Sequence, residues 1–252
     1  MKIKIYFIVV LLIAVQQLQA QTFINKAVIE YEVKTNIKKT MGSGVWEEMM
    51  KDAMPTFKTG YFNYTFANNK SVYKFDHWDP KMKMPEWYTK SDEEEQYYVD
   101  FNTNKVNIQK NIFGSNFNLE DSIPVIQWRL SNENRVIAGY NCRKAVGRIM
   151  DSVYVFVFYT DEITISGGPS SINGLPGMIL GMTIPRMYTS WIATKVTVDK
   201  VEEKVIAPIT AKKYFTRASF RTMLDERTKE WFSEDDPDSK KWIEQFHWRT
   251  QL

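Results

Sequence analysis

The chain has 252 residues, 44% of them hydrophobic, with 33 Lys and Arg against 30 Asp and Glu, two His and one Cys. That length and apolar content exclude a disordered chain and suffice for one sizeable core. The near balance of charge gives nucleic acid no electrostatic footprint, and a lone cysteine rules out an internal disulfide framework.

Residues 1–20 have the pattern of a secretory signal: Lys2 and Lys4, an apolar run from Ile5 to Val15, then Gln16 to Ala20. The apolar run is too short to span a bilayer, so cleavage after Ala20 and a periplasmic mature chain are expected. No cysteine follows Ala20 to accept a lipid. Loss of Lys2 and Lys4 takes the formal charge from +3 to +1. Residues 21–252 carry no linker, repeat or low-complexity block and are expected to form a single domain.

Strand signals dominate this region. Ala27, Ile29, Tyr31 and Val33 alternate with Val28, Glu30 and Glu32, which predicts an opening strand with one apolar face. A short helix follows, with Trp46, Met49, Met50 and Ala53 on one side, and Pro55 ends it. Two hairpins are predicted, Tyr61–Ala67 with Ser71–Phe75 around Asn68 and Asn69, and Tyr97–Phe101 with Val106–Ile112 around Asn102 to Asn104. Pro80 and Pro85 predict a long surface loop over Asp76–Glu95. From Val125 on, five strands are predicted: Val125–Leu130, Val136–Ile149 with a bend near Gly139, Ser152–Tyr159, Gly177–Ile184 and Tyr188–Val201. Two helices close the chain, one after Thr216 and one beginning near Asp236 and Pro237. The fold class expected from this order is α+β, one large curved antiparallel sheet, half-barrel in form, with a few packed helices.

The chemistry-bearing residue types form no decisive constellation. Cys142 sits in a strand-like segment that would bury it, and as a nucleophile it would need His77 or His247, which nothing in the sequence pairs with it. His77 with Met82 and Met84 offers soft ligands for Cu(I), but Met is equally apolar filler, and no paired His or Cys spacing suits zinc. Asp235, Asp236 and Asp238 lack a calcium-loop spacing. No Gly-x-Ser-x-Gly elbow and no phosphate cradle ending in Lys occurs. No metal and no cofactor is expected.

The most informative run is Gly167 to Leu180, with Asn173-Gly174 and Leu175-Pro176-Gly177 at its centre. Gly174 and Gly177 reach positive φ cheaply, and Pro176 and Gly177 suit the two central positions of a tight turn. Gly168, Pro169, Gly174, Pro176 and Gly177 are therefore expected to be structural turn residues. The alternative gives the segment a binding role, with Leu175 and Met178 exposed at the rim of a cavity or partner surface. From Trp128 to Leu180 the chain resembles the GLPGLI family of envelope proteins, through Trp128, Gly139, Tyr140, Cys142, Ala145, Tyr159, Thr160, Ile163, Gly168, Pro169, Gly174 to Gly177 and Ile179. It departs from that pattern at Met178, where Leu is usual, and at Val157-Phe158, where Ala-Trp is common. The resemblance implies a periplasmic or secreted protein of the Bacteroidetes type and brings no catalytic residue with it. The function expected is a non-enzymatic envelope binding module for a lipid or other apolar ligand, or for an outer-membrane partner. An enzyme using Cys142 or a carboxylate pair is the alternative.

Overall fold

Asn68 and Asn69 hold φ of 53° and 57°, the left-handed pair that lets two strands reverse with their natural twist. In the computed structural model they join β2 (Phe57–Ala67) to β3 (Lys70–Trp78). The structure describes residues 23–41, 45–150, 152–198, 201–231 and 237–252, so the expected signal of residues 1–20 and part of the acidic run near 235 lie outside it. The other strands are β1 (Ala27–Asn36), β4 (Gln96–Asp100), β5 (Lys105–Ile112), β6 (Ser115–Ser122), β7 (Trp128–Ile137), β8 (Tyr140–Ile149), β9 (Val153–Thr160), β10 (Met178–Ile184) and β11 (Thr189–Thr197). Five helices accompany them among the described residues: α1 (Ile37–Thr40), α2 (Val45–Ala53), α3 (Glu86–Glu93), α4 (Arg217–Trp231) and α5 (Pro237–Gln251).

All eleven strands form one sheet in the order β6-β5-β4-β3-β2-β1-β11-β10-β9-β8-β7. Every named pair in it is antiparallel. The first six strands step outward from β1 in one direction. The last five start at the opposite edge and step inward until β11 pairs with β1, which brings the two halves of the chain together at mid-sheet. The β-rich α+β class read from the sequence is the one observed.

Several local expectations need correction. The predicted loop Asp76–Glu95 instead extends β3 to Trp78 and forms α3, with Pro85 at the helix N-cap where its missing N–H costs nothing. The bend near Gly139 is a complete reversal between β7 and β8, with Ala138 at φ 50° and Gly139 at φ 87°. Val125 precedes β7 and is 95% exposed. On the apolar side assigned to α2, Met49 and Ala53 are exposed and Met50 is half-buried, the Trp46 side chain lies outside the described residues, and Met54, just beyond the helix, is buried. β6 was not foreseen.

One face of the sheet is lined by large rings. Tyr31 and Phe62 are register partners, as are Tyr64 and Tyr73, and Tyr73 and Tyr97. Tyr31, Tyr64, Tyr73 and Tyr97 are all buried, so neighbouring strands present one continuous aromatic surface. Lys110 on β5 is buried beside it, ion-paired to Glu95 and donating to the Tyr97 hydroxyl and, at 3.3 Å, to the Arg249 carbonyl of α5. A buried ammonium with that many acceptors is satisfied, and it ties the last helix to the sheet.

The sheet curls strongly toward β7. In a flat sheet β10 and β7 would stand roughly 14 Å apart, three strand spacings. Instead, a Cβ built on Gly181 of β10 would stand 2.8 Å from Cδ1 of Ile137 at the end of β7. Gly181 is therefore the gap into which the β7–β8 hairpin folds. Gly181→Val should lower stability by about 1–3 kcal/mol through overpacking. Part of that loss should return in an Ile137→Ala background, as a thermal-melt double-mutant cycle would show. Equal, additive losses would mean the two positions do not touch.

Candidate functional site

The segment between β9 and β10 turns inward. Ser166 Oγ donates to the Leu175 carbonyl at 2.6 Å and accepts from the Gly174 N–H at 3.2 Å, closing the segment on itself. Trp128 Nε1 donates to the Asn173 carbonyl at 2.9 Å, and the Tyr31 hydroxyl donates to the Ile179 carbonyl at 2.6 Å. Gly167 lies against the Tyr64 ring, where a Cβ would meet the phenol. Gly168, Pro169, Ser170, Ser171, Ile172 and Asn173 are all buried. The run is thus a plug on the aromatic face of the sheet, held by strands from both halves of the chain.

Inside it the turn residues behave only partly as expected. Gly174 and Gly177 do take positive φ, 93° and 138°. The β-turn placed on Leu175–Met178 is replaced by a tighter one, because the Gly177 N–H donates to the Leu175 carbonyl at 2.8 Å and the Met178 N–H goes to Ile163 instead. Gly168 has no positive φ; there a Cβ would stand 2.9 Å from the Ile172 carbonyl and from Ile179 Cβ. Pro169 accepts from the Ile172 N–H at 3.2 Å, a reversal centred on Ser170 at φ 57°. The placement of Leu175 and Met178 at an exposed rim is overturned. Both are buried, at 2% and 0% exposure, because the plug faces inward.

Cys142 is fully buried, and burial pushes its thiol up to about 11. A thiol so placed stays protonated at neutral pH and is a poor nucleophile. His77 stacks on Tyr61 with ring centroids 4.6 Å apart and sits 2.6 Å from Asp76, while the Met82 sulfur accepts from the Thr59 N–H at 3.4 Å. His247 Nε2 lies 3.2 Å from Asp225 between α4 and α5. Among the described residues no group of three His, Cys, Asp or Glu is placed to share a metal ion.

A large opening lies elsewhere. An open groove of about 1050 Å³ runs along β7, β8 and β9 and the 124–127 connection, and reaches Ser171, Ile172, Arg217 and Leu252. Its floor follows from the strand register. Arg129 pairs with Val146, Val146 with Phe156, and Arg148 with Tyr154, so these side chains share one face. Leu130 and Tyr154 are 51% and 54% exposed, and Val146 and Phe156 half-buried. The cationic groups lining the groove are Arg129, Lys144, Arg148 and Arg217, and among the described residues no carboxylate side chain lines it. Lys144 is ion-paired to Glu133, whose carboxyl that lysine holds below its ordinary range. Arg217 donates to the Ser122 carbonyl at 2.9 Å and to Ser171 Oγ at 3.4 Å, and its burial pushes its own proton affinity down.

Sequence reasoning missed this groove because its residues are scattered, yet one signal pointed to it. Val153 to Tyr159 are apolar without interruption, although only Val153, Val155, Val157 and Tyr159 are buried. A strand of an antiparallel sheet with one face in water should alternate; Tyr154, Phe156 and Phe158 instead make the outward face apolar as well.

The family described as N-glycanase peptide, N-terminal domain matches residues 63–222, from β2 into α4. Two crystal forms of PNGF-II resemble the fold, each with a TM-score of 0.52 and 14% identity over 79% of this chain. The shares of PNGF-II covered are 33% and 32%, so the chain spans about a third of that protein's length, and at such identity the likeness is one of fold alone. Comparison with curated proteins finds no match.

Two outcomes follow from the plug. Gly177→Ala should cost more than about 2 kcal/mol, because φ is positive and the new Cβ would strike the Thr160 carbonyl. Gly174→Ala should cost roughly 1–2 kcal/mol for its φ alone. Melting temperatures falling in the reverse order would refute the close contact. Cys142 should resist a thiol reagent in the folded protein and react stoichiometrically once denatured; fast labelling of the native state would show it reachable.

Proposed function

The chain belongs to the family of N-glycanase peptide N-terminal domains, and on that premise we propose that it is a non-enzymatic binding module of the cell envelope whose β7–β9 groove takes an apolar ligand. The observation that carries this reading is the outward apolar face of β9. Tyr154 and Phe156 would be costly to present to water without a cover, and they line an opening large enough for a small molecule, whereas Phe158 lies under the Arg135 guanidinium.

Other features agree with it. The Lys2 to Ala20 pattern and the GLPGLI resemblance both favour export to the periplasm, where apolar molecules need carriers. Cys142, the residue on which the enzyme alternative leans most, is held protonated by burial. In PNGF-II a region of this fold occupies about a third of the protein, an arrangement that suits a module lending binding to neighbouring chain. Plug residues Leu175 and Met178 serve the scaffold in this reading, and the groove serves the ligand.

The neutral fluorophore N-phenylnaphthylamine should brighten on addition to the full chain. Leu130→Asp with Tyr154→Asp should abolish the effect without moving the melting temperature, since both side chains are more than half exposed. Undiminished brightening in the double variant would place the site elsewhere, and none with the native chain would sink the reading.

A further inference from the structure

Arg129 and Arg148 stand on one face of the groove, on neighbouring strands and diagonal to each other across Val146. Diagonal Cβ atoms in such a pair are about 7–8 Å apart, within reach of two long side chains. Both arginines are exposed, and among the described residues neither has an acid partner. The contrast with the other two cations of the groove is plain. Lys144 is answered by Glu133, and Arg217 is spent on Ser122 and Ser171 with Asp121 beside it. Two unanswered guanidinium groups beside Val146, Phe156 and Tyr154 repel each other until an anion sits between them.

Resting on the binding reading above, we propose that the groove selects a long-chain carboxylate: the hydrocarbon lies along Val146, Phe156 and Tyr154, and the head group is held between Arg129 and Arg148. The apolar strip and the cation pair are contiguous through the Arg129–Val146–Phe156 row, so one amphiphile engages both without bending. A peptide strand is a poorer occupant. The exposed edge of β7 is broken where the register with β8 shifts between Leu130 and Asn134, and an irregular edge blunts strand addition.

Parinaric acid and its methyl ester, which fluoresce when sheltered and differ only in charge, separate the two layers of this reading. With the full chain at about pH 8, where the acid is ionised, it should bind about tenfold more tightly than the ester. In Arg129→Gln with Arg148→Gln the preference should fall below about threefold with ester binding unchanged, and in the native chain it should shrink as salt rises. Equal binding of acid and ester would overturn the carboxylate inference while leaving an apolar groove. A preference that survives the double substitution would overturn the assignment to these arginines. Failure of both probes would overturn the groove itself. Both arginines are exposed, and an unchanged melting temperature would confirm that the variant is folded.

Discussion

The chain leaves the sheet at Thr160 and rejoins it at Met178, and at that point the backbone of residue 177 is pressed against the Thr160 carbonyl with no room for a side chain. That approach is what permits the seventeen intervening residues to fold back against the sheet rather than be thrown out as a surface loop. Trp128 then takes hold of the Asn173 carbonyl within the segment, the Tyr64 ring lies against Gly167, and Tyr31 holds Ile179 just after the chain has rejoined the sheet. Strands from both halves of the chain are thereby fixed to one short stretch. The same inward turn removes Leu175 and Met178 from the surface, while on the outward face of β9 Tyr154 stays exposed and Phe156 and Phe158 half-buried.

Legibility in the sequence followed the strength of local chemistry. The hairpin at Asn68 and Asn69 and the strand Ala27–Val33 were readable because turn residues and period-two alternation coincide there. β6 was not, because Ser115–Ser122 holds only Phe117 and Leu119 as apolar residues and owes its strand form to pairing with β5. The stretch around Pro80 and Pro85 was misread because proline signals interruption without saying what resumes after it; Pro85 in fact opens a helix. At the candidate site, glycine positions in the plug were visible from composition, but direction was not. Whether Leu175 points in or out depends on where the whole segment folds, which no local pattern encodes. The groove was hidden for a related reason, since Arg129, Val146 and Phe156 meet only through strand register. What the sequence did display was the uninterrupted apolarity of Val153–Tyr159, a departure from alternation that marks a strand with two covered faces.

The division of labour in the sheet is uneven. The β1–β6 half packs its tyrosines against the plug and, through Lys110, against α5. The β7–β9 end, by contrast, curls so far that Ile137 fills the gap at Gly181, and it carries the groove on its outward side. Scaffold and candidate site are centred on opposite ends of one continuous sheet and meet where the groove reaches Ser171 and Ile172 of the plug. Changes to the exposed groove side chains of β7 to β9 can therefore be absorbed more readily than changes at that meeting point.

The two edges of the sheet also differ. Along β6 part of the outward backbone is taken: the Phe215 N–H donates to the Asn118 carbonyl at 2.8 Å, the Glu120 N–H to the Phe215 carbonyl at 2.9 Å, and Arg217 covers the Ser122 carbonyl. Among the described residues β7 has β8 on one side and no hydrogen-bonded strand on the other, and its register shift between Leu130 and Asn134 interrupts that free edge. With one edge partly covered and the other interrupted, the sheet lacks the two continuous rails along which copies would have to stack for a fibre to grow.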